Sequence, residues 1–127
     1  MALAYFNRGN ARNELGDKEG AIADYTQAIQ LNPDDAGAYY DRGIARNDLG
    51  DKEGASADYT QAIQLNPGYA DAYNNRGIAR KALGDKQAAI ADYQQAANLY
   101  QQQRKEEDYK DALDQIKKLE KKFFGLF

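Results

Sequence analysis

The chain has no cysteine and no histidine, which together remove thiolate and imidazole chemistry, disulfides and the usual zinc ligand sets. Only carboxylates and hydroxyls are left for catalysis, so no enzyme activity, cofactor or metal site is expected. The lack of disulfides fits a reducing compartment. The N-terminus has no charged, then apolar, then small-residue leader, and no apolar run reaches membrane-spanning length. The cytoplasm is the expected location. An excess of either charge is also lacking: 17 basic and 20 acidic residues leave a net −3, without the footprint of a nucleic-acid binder. At 127 residues there is room for one domain and no appended catalytic domain.

What the chain does have is repetition. The stretch Leu15 to Pro33 returns almost letter for letter as Leu49 to Pro67, and the triplet Leu15-Gly16-Asp17 recurs at Leu49-Gly50-Asp51 and Leu83-Gly84-Asp85, a period of 34 residues. A fixed period in this range marks stacked units that bury their apolar faces against one another. Three copies fill residues 2–35, 36–69 and 70–103, and residues 104–127 follow as a tail.

Within one unit, Ala2 to Leu15 carries a helical period without proline, and Gly16 stands where glycine commonly closes a helix. This is helix A. Asp17 offers an N-cap oxygen and Glu19 adds negative charge to the first turn of helix B. Ala21, Ile22, Tyr25, Ala28 and Ile29 recur at three- and four-residue spacings, and Asn32-Pro33 ends the run. Two such helices with short connections make an antiparallel hairpin. Gly9, Gly43 and Gly77 recur inside helix A, where glycine costs roughly 1 kcal/mol relative to alanine. A neighbouring backbone is expected to come close there.

The period, the aromatics Tyr5, Tyr39 and Tyr73, the glycines four residues later, Ala21, Ala55 and Ala89, then Tyr25, Tyr59 and Tyr93, Ala28, Ala62 and Ala96, and Pro33 and Pro67 resemble the tetratricopeptide repeat pattern. The resemblance implies an all-α fold, a right-handed α-solenoid of antiparallel helix hairpins whose A helices line a concave groove. It also implies a non-catalytic scaffold that holds a protein segment in that groove. The pattern departs from the family at Arg8 and Arg12, Arg42 and Arg46, and Arg76 and Arg80, which replace a usual leucine and second aromatic. The third copy has Gln101 in place of the closing proline.

Each arginine pair is four residues apart, so both side chains share one helix face. One reading is an anion or nucleic-acid stripe. The other is that the stems pack between helices while the heads pair with Asp24, Asp58 and Asp92. The matching aspartate in every copy and the net negative charge favour the second.

Copies one and two differ on helix A at Leu3/Gly37, Phe6/Tyr40, Asn7/Asp41, Asn10/Ile44 and Glu14/Asp48. Apart from Asn7/Asp41 these positions advance by three or four residues along one stripe. That stripe is the expected groove: Leu3, Phe6, Tyr40, Ile44 and Ile78 form its apolar part, edged by Asn10, Asn13, Asn47, Asp48 and Asn74. Asparagine can both donate to and accept from a peptide backbone. The competing reading is that Leu3 and Phe6 are end-of-solenoid core left open. Some family members clamp a C-terminal carboxylate with lysine, arginine and asparagine. Here Asn10 fits that set, while Phe6, Asp71 and Asn75 stand where the cations would be, so no chaperone-tail clamp is expected.

The near-identity of the first two units and the start at a repeat's first residue point to an excised or engineered module. After Gly84 there is no glycine or proline until Gly125. The segment 101–108 is polar on all sides, and Tyr109, Ala112, Leu113, Ile116, Leu119 and Phe123 resume an apolar stripe, giving a capping helix from about Asp108 to Lys122. Two connections stay open: a turn that folds the cap back, or one continuous rod whose apolar face a second chain must cover. The tail residues Phe123, Phe124, Leu126 and Phe127 either lie on the third hairpin or dock into another copy's groove as a homo-oligomer contact. Insertion in a membrane surface has too little length behind it. The expected function is therefore a non-catalytic protein–protein interaction scaffold for a peptide or helix. Its alternative is a self-assembling module that packs on its own copies.

Overall fold

The computed structural model describes residues 1–124, with side chains placed through Lys121. Seven α-helices make up the described residues: α1 (Ala2–Glu14), α2 (Lys18–Leu31), α3 (Ala36–Asp48), α4 (Lys52–Leu65), α5 (Ala70–Ala82), α6 (Lys86–Gln102) and α7 (Glu106–Phe124). They fall into two compact units, one ending at Pro67 and the other beginning at Gly68. The fold is all-α and built from antiparallel helix pairs.

In the first unit α1 pairs with α2, α3 with α4, and α2 packs on α3. The turn between paired helices is set by three residues. Gly16 and Gly50 adopt φ of +87° and +86°, a left-handed conformation that costs glycine little. The next residue then caps the following helix: Asp17 accepts from the Gly20 amide at 3.0 Å and Asp51 from that of Gly54 at 2.9 Å. The core is alanine and tyrosine, with Ala21, Tyr25 and Ala45 buried beside Phe6 and Ile22.

The expectation of a close backbone at the helix A glycines is corrected. A Cβ built at Gly9 would lie 2.8 Å from Tyr25 Cε1, and one at Gly43 2.7 Å from Tyr59 Cε1. It is the aromatic ring of helix B, not its backbone, that fills the space a side chain would take. Helix A and helix B are keyed by glycine against tyrosine.

In the second unit α5 pairs with α6 and α7 packs along α6. The chain turns at residues 103–105 with the bonding pattern of the glycine turns: Gln103 N donates to Leu99 O, Arg104 N to Gln101 O and Lys105 N to Tyr100 O. Arg104 takes φ +59° there. Hence α6 and α7 are separate helices, not the continuous rod. The return of α7 buries Ala112, Ile116 and Leu119 against Tyr93, Ala89, Tyr100 and their neighbours. The expected tail residues Phe123, Phe124, Leu126 and Phe127 lie outside the described side chains.

Candidate functional site

The arginines come first, because they decide whether helix A offers free positive charge. Arg8 grips Asp24 with two parallel bonds, Nε to Oδ2 at 2.9 Å and Nη2 to Oδ1 at 2.7 Å, and Arg12 adds Nη1 to Oδ2 at 3.2 Å. The same three-residue arrangement repeats as Arg42, Arg46 and Asp58, and as Arg76, Arg80 and Asp92. Each aspartate is 2–3% exposed. The hydrogen bond from Arg8 holds the Asp24 carboxyl below the usual carboxylate range, against the opposing effect of burial. The first arginine of each pair also lies over the ring of Tyr5, Tyr39 or Tyr73, 5.4–5.5 Å from its centre. Bidentate pairing with a buried carboxylate is structural, so the guanidinium ladder is committed to the fold.

The stripe expected as a groove divides between the units. In the first unit Phe6 and Tyr40 are half-buried and lean on the helix B tyrosines, Phe6 on Tyr25 at 5.8 Å and Tyr40 on Tyr59 at 5.8 Å. Leu3 is 69% exposed, and Ile44 is half-buried. The asparagines are less free than their sequence suggests. Asn10 Oδ1 accepts from the Tyr25 hydroxyl at 2.6 Å, Asn13 Oδ1 from Lys18 Nζ at 2.8 Å and Asn47 Oδ1 from Lys52 Nζ at 2.9 Å. Lys18 also pairs with Asp48 at 3.1 Å, so one lysine ties Asn13 of α1 to Asp48 of α3. What each amide keeps for a ligand is its NH2 group.

Two acidic groups beside this stripe were not among the expected site residues. At 3.6 residues per turn, Asp41, Ile44 and Asp48 fall within about 60° of one another on α3. Burial, and secondly the charge of Asp35, pushes the half-buried Asp41 carboxyl up to about 6. Burial is also the largest cause raising the Tyr25 hydroxyl to about 12, with Asp41, Asp24 and Glu14 adding to it. Asp41 and Glu14 therefore flank the Phe6–Tyr25–Asn10 cluster electrostatically. Both positions differ between copies one and two, but sequence alone does not show that Asp41 is half-buried beside the stripe or that Glu14 bears on Tyr25.

In the second unit Asn74 and Ile78 line a cleft of about 400 Å³ with Lys81 of α5 and with Asp111, Asp114 and Lys118 of α7. The opposite wall is the polar face of the cap helix. Sequence reasoning missed it because the wall exists only if residues 103–105 turn. Ile78 takes the place that Asn10 has in the first copy, and the buried Tyr93 hydroxyl has no hydrogen-bond partner among the described residues.

Among the described residues no cluster of Asp and Glu could hold a metal ion, and no helix is long and apolar enough to cross a membrane. Residues 9–50 and 45–84 match the family described as TPR repeat, and residues 70–103 that described as tetratricopeptide repeat. Among solved structures, the second TPR of Spaghetti (RPAP3) bound to the HSP90 peptide SRMEEVD is 34% identical, over 77% of this chain and 91% of that one, with a TM-score of 0.75. The second TPR domain of human RPAP3, in complex with the HSP70 peptide SGPTIEEVD, is 31% identical over 94% of each chain, with a TM-score of 0.83. The yeast Sti1 TPR2B domain in its pHsp70 complex shares the fold, with a TM-score of 0.88 at 22% identity over 95% of this chain and 97% of that one. No curated protein matches.

Proposed function

Since the chain belongs to the tetratricopeptide repeat family, a non-catalytic protein-binding fold, we propose that it is an interaction scaffold. It holds a peptide or helix on the face of its first helices formed by Leu3, Phe6, Asn10, Asn13, Tyr40, Ile44, Asn47 and Asp48, with Asn74 and Ile78 serving the same role in the second unit. The observation that carries this reading is the half-buried pair of rings, Phe6 and Tyr40, each braced by a buried tyrosine. Rigid aromatic surface offers contact area at low entropic cost. The positions around it vary between copies that are otherwise nearly identical.

The HSP90 and HSP70 peptides bound by the RPAP3 domains end in acidic residues. In this chain Phe6, Asp71 and Asn75 stand where carboxylate-clamp cations would be, and the Asp71 carboxylate accepts the Tyr100 hydroxyl bond. We therefore assign the face to a different ligand. A peptide screen read by fluorescence anisotropy tests it. Tyr40→Ala and Ile44→Ala are each expected to weaken a bound peptide by about tenfold. Unchanged binding by both variants would move the site elsewhere.

A second reading is self-assembly, in which Phe123, Phe124, Leu126 and Phe127 of one copy pack on another. It is favoured by the lysines that precede them, Lys117, Lys118, Lys121 and Lys122, beside an acid-flanked face. Removal of residues 123–127 tests it.

A further inference from the structure

The unpaired charge on the first unit's face says which peptide it takes. The other aspartates of this unit's helices and caps have partners. Asp24 and Asp58 each hold two arginines, Asp48 holds Lys18, and Asp17, Asp35 and Asp51 accept backbone amides. Asp41 and Glu14 form no ion pair or side-chain hydrogen bond among the described residues. Nearby cations are already engaged, Lys18 with Asn13 and Asp48, and Lys52 with Asn47.

Asp41 is the more telling of the two because it is half-buried. The equivalent positions in the other copies are Asn7 and Asn75, so a neutral amide of the same shape satisfies the fold. A carboxylate here is charged at neutral pH and lacks a counter-ion, which costs stability. The copy that carries it differs from its twin at few other places, and on helix A the rest of those, Leu3/Gly37, Phe6/Tyr40, Asn10/Ile44 and Glu14/Asp48, follow the stripe.

We propose that the α1–α3 face of the first unit selects a cationic–apolar peptide segment, its large apolar side chain on the Phe6 and Tyr40 rings and its lysine or arginine head at the Asp41 carboxylate. This rests on the scaffold reading above and names the ligand class of the same face. The aliphatic stem of the cation lies along Ile44, one turn from Asp41, so that contact and charge are recognised together. Glu14 adds field at the other end of the stripe. Acidic peptides meet two unpaired carboxylates and no available cation, and are rejected by like charge.

The test is anisotropy with the full chain and two fluorescein-labelled, end-capped peptides, GKKFLKG and its charge inverse GEEFLEG, with SRMEEVD as a third probe. The expected result is binding of GKKFLKG at least about tenfold tighter than either acidic peptide. Asp41→Asn, an amide that the other copies tolerate, should weaken GKKFLKG by about five- to tenfold and narrow its advantage over GEEFLEG. Unchanged far-ultraviolet circular dichroism shows that the variant is folded. Equal binding of both charge partners, or no effect of Asp41→Asn, overturns the charge assignment. If Tyr40→Ala still weakens binding in that case, the scaffold face itself stands. Binding of GKKFLKG that survives both Tyr40→Ala and Ile44→Ala overturns the face, and absence of binding by all three peptides overturns both.

Discussion

A buried phenol needs a partner for its hydroxyl, and the first and third copies differ in whether it has one. Tyr25 donates to Asn10 at 2.6 Å, whereas Tyr93, fully buried, has no partner among the described residues, and its copy carries Ile78 where the first carries Asn10. Leaving a buried polar group unmet costs about 1–3 kcal/mol. Asn10→Ile should therefore destabilise the chain by about 1–2 kcal/mol, and Ile78→Asn should stabilise it by up to about 1 kcal/mol. Thermal unfolding of the two variants checks both, and a fall in Tm for Ile78→Asn would contradict the argument. Asp41 gives a pH-dependent counterpart. Its carboxyl sits at about 6 in the native chain against an ordinary 3.8, so native stability declines as pH rises between those values and stays lowered above them. Asp41→Asn removes that penalty. Because the group is partly solvated, the gain is on the order of 1 kcal/mol at about pH 7.5, and it vanishes at about pH 3. Urea unfolding at the two pH values measures it. Asp24 has the opposite sign: its lowered carboxyl stabilises the fold above its ordinary range and loses that contribution as pH falls.

Between residues and the whole lies the turn at 103–105, where the sequence left two connections open. Every earlier A–B turn carries glycine with φ of +86° to +87° followed by a capping aspartate. This one has Arg104 at φ +59° and Lys105, whose side chain has no oxygen with which to cap α7. The left-handed conformation costs a non-glycine residue about 1–2 kcal/mol. Burying Ala112, Ile116 and Leu119 outweighs it, at about 1.5–3 kcal/mol for a large apolar side chain. A reading by local signals does not see this, since the breaker is supplied by tertiary packing and not by a residue type. Arg104→Gly with Lys105→Asp should restore the missing turn chemistry. The pair is expected to add about 1–2 kcal/mol, because glycine also frees the unfolded chain. A rise in Tm with unchanged helix content supports it, and a loss would mean that Arg104 has a contact worth more than its strain.

For the whole molecule, the fold was legible because repeated signals reinforce one another: Gly16 and Asp17 set a turn and Arg8 finds Asp24 in all three copies, and Asn32-Pro33 ends a helix in the first two. The face was legible only as a stripe of variation. Which of its residues are free depends on long-range partners, as when Lys18 takes up both Asn13 and Asp48. The same electrostatics bear on assembly. A segment combining Lys121 and Lys122 with Phe123, Phe124, Leu126 and Phe127 has the chemistry assigned to the ligand of the first unit's face. A contact from that segment of one copy to the face of the next is heterologous, so it does not close on itself and should grow with concentration. Sedimentation velocity from about 10 to about 500 μM, a span that brackets weak self-association, should then show the average mass rising for the full chain. The rise should be absent after removal of residues 123–127 and reduced by Asp41→Asn. Salt should suppress it as well, since charges separated by more than about 8–10 Å are screened at physiological ionic strength. A single, concentration-independent monomer would exclude the head-to-tail contact while leaving the peptide-binding face available to a partner of the same cationic–apolar character.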